Sequence, residues 1–283
     1  MNDSELLIWE EEFPALCLKG EGVRAFLHGQ TTADVLSKNK DKNIFKSCWL
    51  STKGTLKALL EIRLSNNMAD ILIICGEINS IKEGFESVIF PADKVNLEVV
   101  KPIKRVQKIN NFDSWKDSIN YWLDFDNKFL IENKNYKKVT QSDLKIWKMR
   151  QGIPCFGKEI NGEANPYELG LGDIVKLDKG CYLGQEAMAR FFRSKSLKYH
   201  LRFWKSFGEN SEFNEGKKIF NTDKNDISKR KSGVITSSIN IKDNEYVGLA
   251  LIKNSFIEND CFFSSNGSLI YLKKPISFTQ PYL

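Results

Sequence analysis

From Tyr199 to the end, the chain abandons helical spacing for the two-residue alternation of strands, and this constrains the fold more than any other feature. Tyr199, Leu201 and Phe203 alternate, while Gly233–Thr236 and Tyr246–Ile252 are strand-like. Cys261-Phe-Phe263 and Leu269–Leu272 flank Ser265-Asn-Gly267, and Asn-Gly between β-like runs signals a tight hairpin. The pattern predicts a small antiparallel barrel over 199–283, separate from a larger body over 1–198.

The body mixes both periodicities. A strand holding Ala15 and Cys17 leads into a short helix, in which Val23, Phe26, Leu27 and Gln30 share one face. Phe45–Leu50 and Ala58–Leu64 read as a hairpin joined at Ser51–Gly54, and Asp70–Cys75 as a buried strand. Ile81, Phe85, Val88 and Ile89 recur at helical spacing up to Pro91, and Val95, Leu97 and Val99 alternate. A helix is expected over Ser142–Arg150, capped by Ser142 or Asp143, before an irregular Gly157–Gly172. Lys108–Lys138, with Tyr121, Trp122 and Phe125 as its markers, carries no clear period. The sum is an α+β fold: a body, in two subdomains, of mixed and antiparallel sheets with packed helices, plus the barrel.

Composition narrows the function classes. A chain of 283 residues, 41% hydrophobic, buries a sizeable core without staples. Glu5, Glu10, Glu11 and Glu12 occupy the region where a signal peptide would be basic and apolar, and the densest apolar run, Ile71–Cys75, is strand-sized. A cytoplasmic protein with no membrane contact is expected. Six cysteines without a C-x-x-C pair, and only two histidines, predict reduced thiols and no metal site. Forty-two basic against 36 acidic residues give a net charge of +6, compatible with an anionic ligand and too mild to demand nucleic acid.

The most specific stretch is Lys179-Gly-Cys-Tyr-Leu-Gly-Gln-Glu-Ala-Met-Ala-Arg190. Gly180 and Gly184 permit a tight turn around Cys181, and Gln185 onward can start a helix. A thiol near a helix start, with Lys179 and Arg190 nearby, sits in the electropositive setting of a reactive cysteine; the alternative is an inert packing thiol. Glu186 and Arg190, four apart, either brace the helix or serve a ligand.

This stretch resembles the K-G-C-Y-x-G-Q-E-x-x-A-R signature of the YgfZ family. Gly29-Gln-Thr-Thr-Ala-Asp-Val35 is similar to that family's early G-Q-x-T-x-D-V segment, and Gly152-Ile-Pro154 precedes the signature as expected. The resemblance implies the body of the glycine-cleavage T protein, with a central cavity for tetrahydrofolate or a one-carbon derivative. It also implies a role in assembly or repair of iron–sulfur enzymes, including those that modify tRNA, with client enzymes or assembly factors as partners. It implies Cys181 as the reactive residue and Phe13, Trp147, Gln151, Lys179, Tyr182, Gln185, Glu186 and Arg190 around the folate.

Departures from the T protein bear on chemistry. Lys57 and Ala58 stand where the acidic pair would follow the glycine hairpin, so the carboxylate for aminomethyl transfer is missing. Gln151 replaces the glutamate that would meet a pterin edge, losing charge assistance. Phe13 and Leu144 fall where stacking tryptophans are expected, and Trp147 lies one turn along from Leu144. A folate-dependent aminomethyltransferase is the first rival reading, and Lys57 and Ala58 argue against it. An RNA-binding module is the second, since Arg190, Arg193, Lys195, Lys198, Arg202 and Lys205 interleave with Phe191, Phe192, Tyr199, Phe203 and Trp204.

Overall fold

The computed structural model describes residues 6–37, 44–123, 136–208, 213–223, 226–242, 244–259 and 262–281. Phe125 and Cys261 lie outside the described residues, as does Glu5.

The body is built on one sheet. Strands β1 (Leu6–Lys19), β2 (Ile44–Leu50), β3 (Leu56–Ser65), β4 (Met68–Cys75), β5 (Asn96–Lys108) and β6 (Asn120–Trp122) lie in the antiparallel order β2-β3-β4-β1-β5-β6. Strand β7 (Tyr136–Lys138) adds to β1 in parallel. Side-chain alternation divides the sheet into two faces. Leu16 and Leu18 of β1, with Ala58, Leu60, Ile62 and Leu64 of β3, pack beneath helices α1 (Val23–Gln30) and α2 (Ile78–Glu86) through Val23, Phe26, Leu27, Ile81 and Phe85. The opposite parity sends Trp9, Phe13 and Ala15 into a second core shared with helix α3 (Gln141–Gln151) and the barrel.

Two helix limits differ from the sequence reading. Thr140, not Ser142 or Asp143, caps α3: it is extended and its Oγ1 accepts from the Asp143 amide at 3.2 Å, starting the helix a residue early. Helix α2 ends at Glu86, and Val88 and Ile89 pack from the turn beyond it.

Strands β8 (Tyr199–Phe207), β9 (Lys218–Asp223), β10 (Asp226–Lys242), β11 (Glu245–Lys253), β12 (Phe262–Phe263) and β13 (Leu269–Lys273) form a closed antiparallel barrel. Trp204, Phe213, Ile235, Tyr246 and Phe262 fill it, and Trp204 Nε1 donates to the Leu249 carbonyl at 3.1 Å. Gly248 is required there, since a Cβ would lie 1.8 Å from the Ser237 carbonyl oxygen. Leu249 and Leu251 point outward into the core shared with the body. After β13 the chain returns to the body, where Ile276 and Ser277 amides donate to the Arg150 and Gln151 carbonyls and the Thr279 amide to Gly170. Among the described residues no helix is long and apolar enough to cross a membrane.

Candidate functional site

The nine residues singled out in the sequence fall into two groups. The first is an aromatic cluster. Trp9 meets Phe13, Trp147 and Trp115 edge-on, with ring centroids 5.9, 5.6 and 6.4 Å away. Phe13 and Trp9 come from β1 at like parity, and Trp147 from α3. Trp115 comes from the loop after β5, which is strapped to α3: Trp147 Nε1 donates to the Asn110 carbonyl at 2.9 Å.

Gln151 completes the strap. Its Nε2 donates to the Asn110 and Asp113 carbonyls at 3.3 and 3.1 Å, and its Oε1 accepts from the Trp115 amide at 3.0 Å and from Ser277 Oγ. The sequence reading gave this amide to a ligand; its hydrogen-bonding capacity is instead fully committed to the protein.

Beneath the aromatic rings lies a buried ion pair that the sequence reading missed. Arg105 Nε and Nη2 donate to Glu61 at 2.8 and 2.9 Å, and Nη2 also reaches Gln107, whose Nε2 donates to the Trp115 carbonyl. Asn120 Nδ2 donates to Glu61 at 2.8 Å, and Lys46 Nζ lies 3.7 Å from it. Burial would raise the Glu61 carboxyl, but Arg105 beside it, with Lys46, holds it below the usual carboxylate range. The Arg105 guanidinium lies 4.3 Å from the Trp9 ring centroid. Three buried polar atoms in this group have no protein partner: Arg105 Nη1, Trp115 Nε1 and Asn120 Oδ1. Two donors and an acceptor without partners among buried aromatic rings are the chemistry a polar heteroaromatic ring would satisfy.

The second group is the Lys179–Arg190 stretch, and it docks on the early segment that accompanied it in the sequence. Lys179 Nζ donates to the carbonyls of His28 and, at 2.7 Å, Thr31, at the C-terminal end of α1. The Leu183 amide donates to Gly29 at 3.0 Å, the Lys176 amide to Thr32 at 3.1 Å, and Thr32 Oγ1 to Ile174 at 3.1 Å. Burial pulls the Lys179 ammonium down to about 8, against the opposing pull of Asp34. Lys179 thus faces α1, 4.6 Å over the Tyr182 ring, rather than a ligand. Tyr182 is buried with its hydroxyl unpartnered, and burial pushes the phenol upward.

Gly184 adopts φ +82° and caps helix α4 (Gln185–Ser194). It abuts the β2–β3 turn so closely that a Cβ would lie 2.6 Å from the Ser51 carbonyl oxygen. Gln185 Nε2 donates to Leu177 at 3.0 Å. Glu186 and Arg190 are exposed, no ion pair joins them, and Arg190 lies 5.5 Å over the Phe191 ring. Cys181 is an exposed free thiol three residues before the α4 cap, whereas Cys17, Cys48 and Cys75 are buried, with Cys48 pushed up to about 12 by burial. Lys57 is exposed, 4.5 Å over the Trp49 ring, and Ala58 is wholly buried under α2, so neither position presents a carboxylate. Among the described residues no group of three His, Cys, Asp or Glu is placed to hold a metal ion.

Over 144 residues, 49% of this chain, the sequence is 31% identical to the tRNA-modifying protein YgfZ of Buchnera aphidicola. The fold superposes on the glycine cleavage system aminomethyltransferase T from Bartonella henselae with a TM-score of 0.71, covering 99% of this chain and 89% of that one at 12% identity. This chain is similar to YgfZ over part of its length and has the T-protein fold. A shorter match, 51% over 37 residues, links it to an aminomethyltransferase of Herpetosiphon aurantiacus, covering 13% of this chain and 10% of that one. No family model matches. The YgfZ match spans 43% of the Buchnera protein, so likeness to YgfZ rests on part of that protein's length.

On this frame Phe13 and Trp147 come together around Trp9, as do Lys179, Tyr182 and Gln185 in the signature. Trp9, Trp115, Arg105 and Glu61 went unnoticed in the sequence. One signal was available: Glu61 is an acidic residue inside the largely apolar strand-like run Ala58–Leu64, where an unpaired charge is not tolerated.

Proposed function

We propose that this chain is a folate-binding accessory protein, acting in the cytoplasm, that supports assembly or repair of iron–sulfur enzymes, including enzymes that modify tRNA. The observation that carries the folate half is the Trp9, Phe13, Trp115 and Trp147 cluster over Arg105, with Arg105 Nη1, Trp115 Nε1 and Asn120 Oδ1 buried and unpartnered. A tetrahydrofolate or one-carbon derivative would use these groups: the aromatic rings hold the pterin, the two N–H groups donate to its oxygen or nitrogen acceptors, and Asn120 accepts from its amine. When bound, the folate supplies a one-carbon unit or a reduced pterin. Gln151 and Lys179 act as positioning residues, the first holding the loop that carries Trp115, the second holding the signature against α1. Tyr182, Gln185, Glu186 and Arg190 complete the signature side of the site.

Client enzymes or assembly factors are the proposed partners, and the exposed Cys181 thiol is the proposed reactive group toward them. Similarity to a protein named for tRNA modification supports this half. The test is complementation: in bacterial cells lacking their own YgfZ, expression of this chain is expected to restore the methylthiolated tRNA nucleosides made by an iron–sulfur enzyme. Unrestored nucleosides at matched expression would remove the iron–sulfur role and leave folate binding to its own test.

A further inference from the structure

A groove of about 630 Å³ lies where the barrel meets the end of α3 and the returning C-terminal segment, far along β8 from the signature. Its floor is set by register. Across β11, β8 and β13, Val247 stands opposite Lys205 and Lys205 opposite Tyr271, while Phe203 stands opposite Lys273. Glu245 opposes Phe207 one step along. Residues two apart on a strand share a face, so Phe203, Lys205 and Phe207 of β8 line up beside Tyr271 and Lys273 of β13 on the outside of the barrel.

Two properties of this face need a partner. Phe207 and Tyr271 are each 53% exposed, with Ile276 at the rim, although neighbouring strands bury their apolar residues. Positive charge surrounds them: Arg150, Lys205, Lys273 and Lys274 line the groove against Glu245, whose carboxylate is already engaged by Lys205 at 2.6 Å and Lys242 at 3.7 Å. Exposed rings spaced along a sheet and flanked by cations suit bases that stack and phosphates that run alongside. An acidic peptide would use the cations but has no general need for two exposed rings, one of which, Phe207, already carries the Lys205 ammonium 4.9 Å over its face.

We propose that this outer barrel face, β11-β8-β13 with Arg150 and Lys274 at its edges, binds single-stranded RNA. The assignment revises the pattern visible in the sequence. Of those interleaved residues only Phe203 and Lys205 line the groove; Trp204 fills the barrel core, and Arg190, Arg193, Phe191 and Phe192 sit on α4. The proposal does not depend on folate binding.

The test uses the full chain without folate and a labelled oligouridine of about twelve nucleotides, within the ~4–16 nucleotide footprint of such surfaces. Anisotropy is read at about 50 and 200 mM salt. Tyr271→Ala and Phe207→Ala are each expected to weaken binding by roughly 5- to 150-fold, the range of one lost stacking contact. Lys273→Ala with Lys274→Ala is expected to flatten the slope of log affinity against log salt by about 1.4, two phosphate contacts on a single strand. Both aromatic residues are more than half exposed, so their truncation spares the core, and far-UV circular dichroism with a thermal melt verifies it. Absence of saturable binding at the lower salt overturns the proposal. So does binding unchanged by the groove variants, or lost only in Arg190→Ala and Arg193→Ala, which would assign RNA to α4.

Discussion

Lys179 Nζ donates to the Thr31 carbonyl at 2.7 Å, joining residues 148 positions apart, and also reaches the His28 carbonyl. The signature and the early Gly29–Val35 segment are thereby two halves of one joint. The arrangement places an ammonium at a helix C-terminus, where carbonyl dipoles favour it, at the cost of burying it.

That burial predicts a pH signature. With the Lys179 value depressed to about 8, the unfolded chain holds more protons than the folded one between about pH 8 and the ordinary lysine value, so stability contributed at this site rises with pH across that window. The stability advantage of the parent chain over Lys179→Met, from denaturant unfolding, should therefore widen from pH 8 to 10. A constant or narrowing gap would place the ammonium in water.

Glu61 and Arg105 are both fully buried, so removing one strands the other. Glu61→Gln is expected to cost about 3–5 kcal/mol in urea unfolding, and Glu61→Leu combined with Arg105→Leu much less than the sum of the single changes. Additive losses would mean that the two act independently.

The barrel was legible because Tyr199, Leu201 and Phe203 alternate and Asn266-Gly267 marks a hairpin; both are local signals. The start of α3 was less so, since Thr140, Ser142 and Asp143 are all good caps and only backbone geometry chooses among them. Trp115 and Arg105 were out of reach for another reason. The loop that carries Trp115 has no periodicity, and its placement depends on Gln151 and Ser277, distant in sequence. The burial of Arg105 requires Glu61, 44 residues away, to be brought opposite by the pairing of four strands. Phe13 and Trp147 were named from family resemblance, which periodicity alone does not supply.

Cys181 is exposed and Cys155 donates its backbone amide to Glu159 at 2.9 Å within a tight turn. Cys181→Ala is expected to leave the melting temperature unchanged and abolish support for iron–sulfur-dependent tRNA methylthiolation in cells, with Cys155→Ala milder. Full activity of Cys181→Ala, by nucleoside mass spectrometry at matched protein levels, would leave the signature acting through its backbone and through Gln185, Glu186 and Arg190.

Aminomethyl transfer should be absent. Lys57 and the buried Ala58 provide no carboxylate, so the protein is expected to release no ammonia from an aminomethyl donor with tetrahydrofolate present. Turnover comparable to a T protein would show another carboxylate at work.

The account rests most heavily on the aromatic cluster as a folate site. Titration of the purified chain with tetrahydrofolate, followed by tryptophan fluorescence and calorimetry, is expected to show saturable binding with quenching of the Trp9, Trp115 and Trp147 group. Trp147→Leu should weaken it by about 0.5–1.5 kcal/mol, one aromatic contact, with far-UV circular dichroism verifying the fold. No saturable binding at millimolar ligand, or binding indifferent to Trp147 and Trp115 substitution, would contradict it.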